Sequence, residues 1–169
     1  MKGIFKVGRR LKIRGVTFDD FLASCKFPTD ELANKAWDLF CKEDWKGLEK
    51  LFNDNKLNGG WPPNGGFINT SKRILKPGDI IDRYGGKIEN GKFTDTGKYF
   101  GIDGASFESR ALQESAKNGF YNKYEIIKEL PVVEGKAIPW FGKEGMGTQF
   151  LTGEGVDDLI KNGYIKKIN

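Results

Sequence analysis

A chain of 169 residues, of which 38% are apolar, 30% charged and 13% aromatic, is sized for one core or for a small core with a helical appendage. No apolar run approaches the roughly 18 residues that a bilayer span requires, and the absence of histidine excludes Ser-His and Cys-His nucleophiles, histidine-dyad ribonucleases and His-ligated zinc. The net charge of +5 is concentrated in an arm carrying Lys2, Lys6, Arg9, Arg10, Lys12 and Arg14 with no acid, while 22 basic residues face 23 acidic ones after it. The arm reads as a solvated leader, with phosphate or anionic lipid as the alternative contact. Its apolar content is too short for a signal peptide and no small-residue cleavage site follows, so no export signal is expected in this chain.

Taken in chain order, residues 18–25 suggest a short helix that stops before Pro28. Thr29-Asp30-Glu31 supplies a helix cap and first-turn acids, and Leu32, Ala36, Trp37, Leu39 and Phe40 recur at helical spacing, which predicts a helix over 30–41. Asp44 is placed to cap another, with Trp45, Leu48, Leu51 and Phe52 on one face. Cys25 and Cys41 lie in this helical region without metal-ligand spacing and read as small core residues. Only 4 of the 23 glycines precede residue 59, so the chain changes character there and divides into a basic arm with helical lead-in, 1–58, and a second region, 59–169. Trp61-Pro62-Pro63-Asn64-Gly65-Gly66-Phe67 is turn chemistry. Short apolar pieces separated by glycine pairs follow. Residues 124–133 predict the best strand, with Pro131 marking an edge or a break, and residues 156–161 a short closing helix. Without βαβ alternation the expected fold is α+β: a small, mostly antiparallel twisted sheet with short helices, preceded by the helical segment.

Two glycine spacings lead nowhere. Gly86 to Lys92 has the spacing of a phosphate-binding loop, but Phe93 stands where a Ser or Thr must reach magnesium, and no helix starts there. Gly142 to Gly147 lacks the strand-to-helix unit of a dinucleotide fingerprint and indicates a tight loop. More informative is an ordered set: Lys76-Pro77-Gly78-Asp79-Ile80-Ile81-Asp82-Arg83-Tyr84-Gly85, Gly91-Lys92-Phe93, Ser109-Arg110-Ala111-Leu112, and Pro139-Trp140-Phe141-Gly142-Lys143-Glu144-Gly145-Met146-Gly147-Thr148-Gln149-Phe150.

With Trp61 to Phe67 in front, these segments resemble, in order, the motifs of the tuberculosis-necrotizing-toxin type of NAD⁺ glycohydrolase domain. The resemblance runs from about Leu57 to Ile168. This chain departs from the family pattern at Gln113, Lys143-Glu144 and Met146, and it has no histidine in the region of Tyr121 to Tyr124, where some members carry one. A mechanism using that imidazole does not transfer.

The resemblance implies a toxin effector module that hydrolyses NAD⁺, and NADP⁺ with it, to nicotinamide and the corresponding ADP-ribose species. It would be delivered by an upstream region or secretion machinery, act in the target-cell cytosol, and be neutralised by a cognate immunity protein. The dinucleotide would be substrate, and no cofactor or metal is expected. The leaving pyridinium departs as neutral nicotinamide, so no general acid is needed. The resemblance places Gln149 at the reacting ribose, where its oxygen would face the growing positive charge. Arg83 and Arg110 would grip pyrophosphate through paired N–H donors, and Tyr84 and Phe93 would wall in a ring. Taken singly, each arginine would read as a surface ion-pair former, and Trp140 and Phe141 as core. Asp82 would be a partner of Arg83 or a surface turn acid. The alternatives are ADP-ribosyl transfer, for which no Gln/Glu-x-Glu motif is present, and a ribonuclease or nucleic-acid-binding toxin using the arm, against which the neutral body argues.

Overall fold

The computed structural model describes residues 12–169; Lys2, Lys6, Arg9 and Arg10 of the arm lie outside them. A hairpin of β1 (Lys12–Ile13) and β2 (Val16–Thr17) leads into α1 (Phe18–Ser24), α2 (Asp30–Lys42) and α3 (Trp45–Asp54). Each helix begins on a side-chain cap: the hydroxyls of Thr17 and Thr29 and the carboxylate of Asp44 accept from the backbone N–H three residues on, at 2.9, 3.1 and 3.0 Å. The buried faces of the helices converge on Trp37, Phe40, Leu48 and Phe52, and this cluster continues into Ile138 and Trp140 of the C-terminal half. Phe52 meets Trp140 edge-on at 5.6 Å, and the Trp140 indole N–H donates to the Gly60 carbonyl at 2.8 Å. Residues 12–58 and 59–169 therefore share a core. Cys25 and Cys41 are half-buried against it.

The second half forms a seven-stranded sheet from β3 (Ser71–Leu75), β4 (Ile80–Tyr84), β7 (Tyr99–Ile102), β8 (Tyr121–Ile126), β9 (Leu130–Lys136), β10 (Thr148–Leu151) and β11 (Ile165–Lys167), in the order β11-β8-β4-β7-β10-β9-β3. All of its pairings are antiparallel, as expected. One face carries Ile81, Phe100, Tyr124, Val132 and Phe150 against α4 (Val156–Lys161), the predicted closing helix. The strand expected over 124–133 is instead two, β8 and β9, broken at residues 127–129 where Ile127 N–H turns away to the Tyr164 carbonyl. Pro131 lies beyond the reach of β10, whose pairing with β9 ends at Val133, so its missing N–H leaves no gap in that ladder. The phosphate-loop spacing at Gly86 to Lys92 is a hairpin of β5 (Lys87–Glu89) and β6 (Lys92–Thr94). Asn90 and Gly91, at φ 52° and 76°, form its two-residue turn.

Candidate active site

Register determines which residues meet. Across the sheet, Asp82 of β4 pairs with Gly101 of β7, Gly101 with Gln149 of β10, and Gln149 with Gly135 of β9. Directly opposed residues project to the same face, so the face away from α4 holds Lys123, Asp82 and Gln149 in one row, with Gly101 between Asp82 and Gln149 and Gly135 beyond Gln149. The glycines are sterically required: a Cβ on Gly101 would lie 2.7 Å from Nη1 of Arg110, and one on Gly135 would lie 1.8 Å from the Asn69 carbonyl oxygen.

Gln149 is oriented by its amide. Nε2 donates to the Gly66 carbonyl at 2.9 Å, which leaves Oε1, a group that can only accept, without a hydrogen-bond partner among the described residues. Gly66 belongs to the Trp61-to-Phe67 segment, where Asn64, Gly65 and Gly66 all hold positive φ and Asn64 Nδ2 caps the turn at the Phe67 carbonyl. The same Gly66 carbonyl accepts from Ile138 N–H at 2.9 Å. The glycine-rich loop before β10 does the corresponding work for Arg110. Gly145 and Gly147 donate to the carbonyls of Glu108 and Ser109, in the single helical turn that carries Arg110. A Cβ at Gly147 would lie 2.8 Å from Ser109 oxygen atoms, so the approach needs glycine.

Both arginines reach the same cleft, but their forks are engaged. Arg110 donates from Nη1 and Nη2 to the two oxygens of Asp82 at 2.6 and 2.9 Å, and from Nη2 and Nε to the Ala105 carbonyl. Asp82 is wholly buried and also accepts from Tyr121 Oη at 2.5 Å and Gly104 N–H at 3.1 Å. The expectation that Asp82 would serve Arg83 or face solvent is therefore corrected: neighbours on a strand point to opposite faces, which separates Asp82 from Arg83. Arg83 pairs with Asp95 through Nε and Nη2 at 2.6 and 2.8 Å and donates from Nη1 to the Tyr99 carbonyl at 3.0 Å. Its guanidinium lies against Gly85 and Gly97, where any Cβ would collide with it. Asp95 is held in turn by its N–H to Asp157 at the start of α4.

The cleft measures about 470 Å³, within the range of small-molecule sites. A smaller recess of about 60 Å³ shares Arg83, Tyr99, Arg110, Leu112 and Gln149 with it. Tyr84 walls the recess, with the Arg110 guanidinium 5.1 Å from its ring centre. Phe93 does not line either space. Its place on the β5–β6 hairpin turns its ring onto Gly86 and Phe120, with Lys167 above it. Trp140 is core, and Phe141 is half-buried beside it. Burial pushes the Tyr99 hydroxyl pKa up, and burial with the neighbouring Asp82 does the same for Tyr121. Tyr99 and Tyr121, which join the predicted residues around the cleft, had no local signal in the sequence. Asp95-Thr-Gly97 offered one in retrospect, since Gly97 makes room for the guanidinium that Asp95 binds. Among the described residues no group of three or more His, Cys, Asp or Glu is placed to hold a metal ion, and no helix is long and apolar enough to cross a membrane.

The antiparallel sheet with a polar row opening on a cleft defines a class that the comparisons identify. Residues 74–168 match the family model described as Tuberculosis necrotizing toxin, and the chain belongs to that family. A relative from Aspergillus fumigatus, the conidial surface nicotinamide adenine dinucleotide glycohydrolase, is 32% identical over 162 residues, covering 85% of this chain and 65% of the relative. The solved structure of tuberculosis necrotizing toxin complexed with its immunity factor matches with a TM-score of 0.50 at 24% identity, over 63% of this chain and 60% of that one. The chain thus spans less than two thirds of the length of either protein, and the structural match shows the shared fold.

Proposed function

We propose that this protein is an NAD⁺ glycohydrolase that releases nicotinamide by cleaving the bond between the pyridinium nitrogen and the ribose. The observation that supports this most is the state of Gln149: its N–H group is committed to Gly66, and its carbonyl oxygen is left for the cleft that both arginines enter. An amide oxygen held in this way suits a reaction that builds positive charge on a sugar carbon, because it stabilises the oxocarbenium-like transition state without itself changing protonation. As the C–N bond breaks, its electron pair returns to the ring and neutral nicotinamide leaves. Water then adds to the sugar carbon and loses one proton to solvent, giving ADP-ribose.

Arg83 and Arg110 would meet the pyrophosphate with the N–H bonds their carboxylate partners leave over, two on Arg83 and one on Arg110 by the hydrogen bonds above. The paired grip expected of each fork is replaced by fixed, carboxylate-held cations. NADP⁺ is included as substrate on the family resemblance, as are delivery into a target cell and neutralisation by a cognate immunity protein. Incubating the pure protein with NAD⁺ and measuring free nicotinamide, with and without an acceptor protein, tests the assignment. Release in water alone is expected. Release only with an acceptor, with label on the acceptor, would identify an ADP-ribosyltransferase instead.

A further inference from the structure

The four tryptophans divide sharply. Trp37, Trp45 and Trp140 are buried, whereas Trp61 is 49% exposed and lines the cleft. Exposure here does not mean looseness. The Trp61 ring stands on Phe141 at 5.2 Å and 86°, and its backbone is held by Asn58, whose Nδ2 donates to the carbonyls of Trp61 and Pro62 at 3.0 and 2.9 Å. Two prolines follow and stiffen the chain. The motif thus presents one held indole to the cleft, outside the recess that Tyr84 walls.

We infer that Trp61 is a binding platform on which the adenine ring of the dinucleotide stacks. The inference rests on the reading of the cleft as a dinucleotide site and says which end lies where. An indole face attracts a cationic ring more strongly than a neutral one. Stacking the pyridinium on Trp61 would favour the ground state, because that charge disappears as nicotinamide leaves, and so would slow cleavage. Adenine is unchanged by the reaction, so its contact adds the same binding before and at the transition state. Trp61 therefore acts on substrate affinity, Gln149 at the recess takes the reacting half, and Arg83 and Arg110 hold the pyrophosphate between the two.

The test compares NAD⁺ with nicotinamide mononucleotide, which has the same scissile bond and no adenosine. Trp61→Ala should raise KM for NAD⁺ on the order of tenfold, the contribution of one base-on-aromatic stack, and leave kcat within about twofold. The kcat/KM for the mononucleotide should change by less than about twofold, since it never reaches the platform. Independently of turnover, ADP should quench the fluorescence of the wild-type protein but not of Trp61→Phe, and nicotinamide should quench neither. Equal losses on both substrates, or quenching by nicotinamide, would put the wrong ring on Trp61 and overturn the inference; so would an unchanged KM or the absence of ADP quenching. Failure of the wild-type protein to release nicotinamide from NAD⁺ would overturn the glycohydrolase reading instead, and the ADP titration would still report on the platform.

Discussion

Asp82 and Arg110 form a two-bond pair in the middle of the sheet, Oδ1 to Nη1 at 2.6 Å and Oδ2 to Nη2 at 2.9 Å, with the carboxylate fully closed from solvent and the arginine side chain 9% exposed. Removing one partner of such a pair strands the other charge in a poorly polarisable interior. Asp82→Ala should lower the free energy of unfolding by about 3 to 5 kcal/mol. Arg110→Lys should lower it by about 1 kcal/mol or more, because an ammonium cannot reproduce two parallel bonds. Both should lose NAD⁺ cleavage. Urea unfolding followed by circular dichroism measures the first effect, and Asp82→Ala within 1 kcal/mol of wild type would mean that the pair is not the structural link described above.

Gln149 makes a sharper test, since the role proposed for it is chemical. Gln149→Ala removes one polar group from a half-exposed position and should fold with wild-type stability, while turnover of NAD⁺ falls on the order of 10². Gln149→Glu keeps the shape but replaces the donor to the Gly66 carbonyl with a second acceptor, so it should be no better than alanine. Nicotinamide release by purified variants, alongside their melting curves, decides this. Near-wild-type turnover in folded Gln149→Ala would remove the residue from the reaction.

The glycines of the polar row should fail in different ways. At Gly101 an added methyl meets the end of the Arg110 side chain at 2.7 Å, so the cost falls on arginine placement, and Gly101→Ala should lose on the order of 10² in kcat/KM with a modest stability loss of about 1 to 3 kcal/mol. At Gly135 the methyl meets a backbone carbonyl at 1.8 Å that has nowhere to go. Gly135→Ala should therefore be recovered mainly as insoluble or unfolded protein. Expression yield and thermal unfolding of the two variants side by side check the contrast, and a stable Gly135→Ala would contradict the close approach of Asn69 to β9.

The helices were legible because their determinants are local: Thr29 and Asp44 carry their own caps, and α4 spans the predicted residues 156–161. The break of the predicted strand 124–133 was not, because residues 127–129 hold no glycine or asparagine and turn only because Ile127 finds a carbonyl at Tyr164, 37 residues on. The site shows the same division. Gln149, Arg83, Arg110 and Tyr84 could be named from motifs and do meet at one recess. The contacts that orient Gln149 and Arg110, with Gly66 and Asp82, depend on cross-strand register and loop closure over 83 and 28 residues, which local patterns do not encode. Phe93 was misplaced for the complementary reason: its motif position put it near Tyr84 in sequence, but a two-residue hairpin turned its ring elsewhere.

The pH behaviour should separate activity from stability. The titratable groups of the cleft are arginines and tyrosines, no histidine exists in the chain, and Tyr99 and Tyr121 are pushed upward by burial. With departure of nicotinamide needing no proton, kcat/KM should be flat between about pH 6 and 8. From pH 7 upward, stability should decline in the alkaline range. Burial pushes the Cys25 thiol up from 9.0 to about 11, and burial together with the Asp95 charge pushes Tyr124 up from 10.0 to about 12, against an opposing pull from the Arg83 charge and a smaller one from Asn122. For both groups the folded protein keeps a proton that the unfolded chain gives up. Their effect on stability is thus absent below pH 9 and grows as a loss from 9 to 11 for Cys25 and from 10 to 12 for Tyr124. The Tyr124 hydroxyl is buried and closes no hydrogen bond of good geometry, so Tyr124→Phe should be neutral or stabilising by about 1 kcal/mol at pH 7. Urea midpoints measured from pH 7 to 11 should fall for the wild-type protein and fall less for Cys25→Ala, Tyr124→Phe. A parallel decline in that double variant would assign the alkaline loss to other groups, and a bell-shaped kcat/KM centred near pH 7 in protein that stays folded would require a carboxyl or thiol to move a proton, ending the acid-free mechanism.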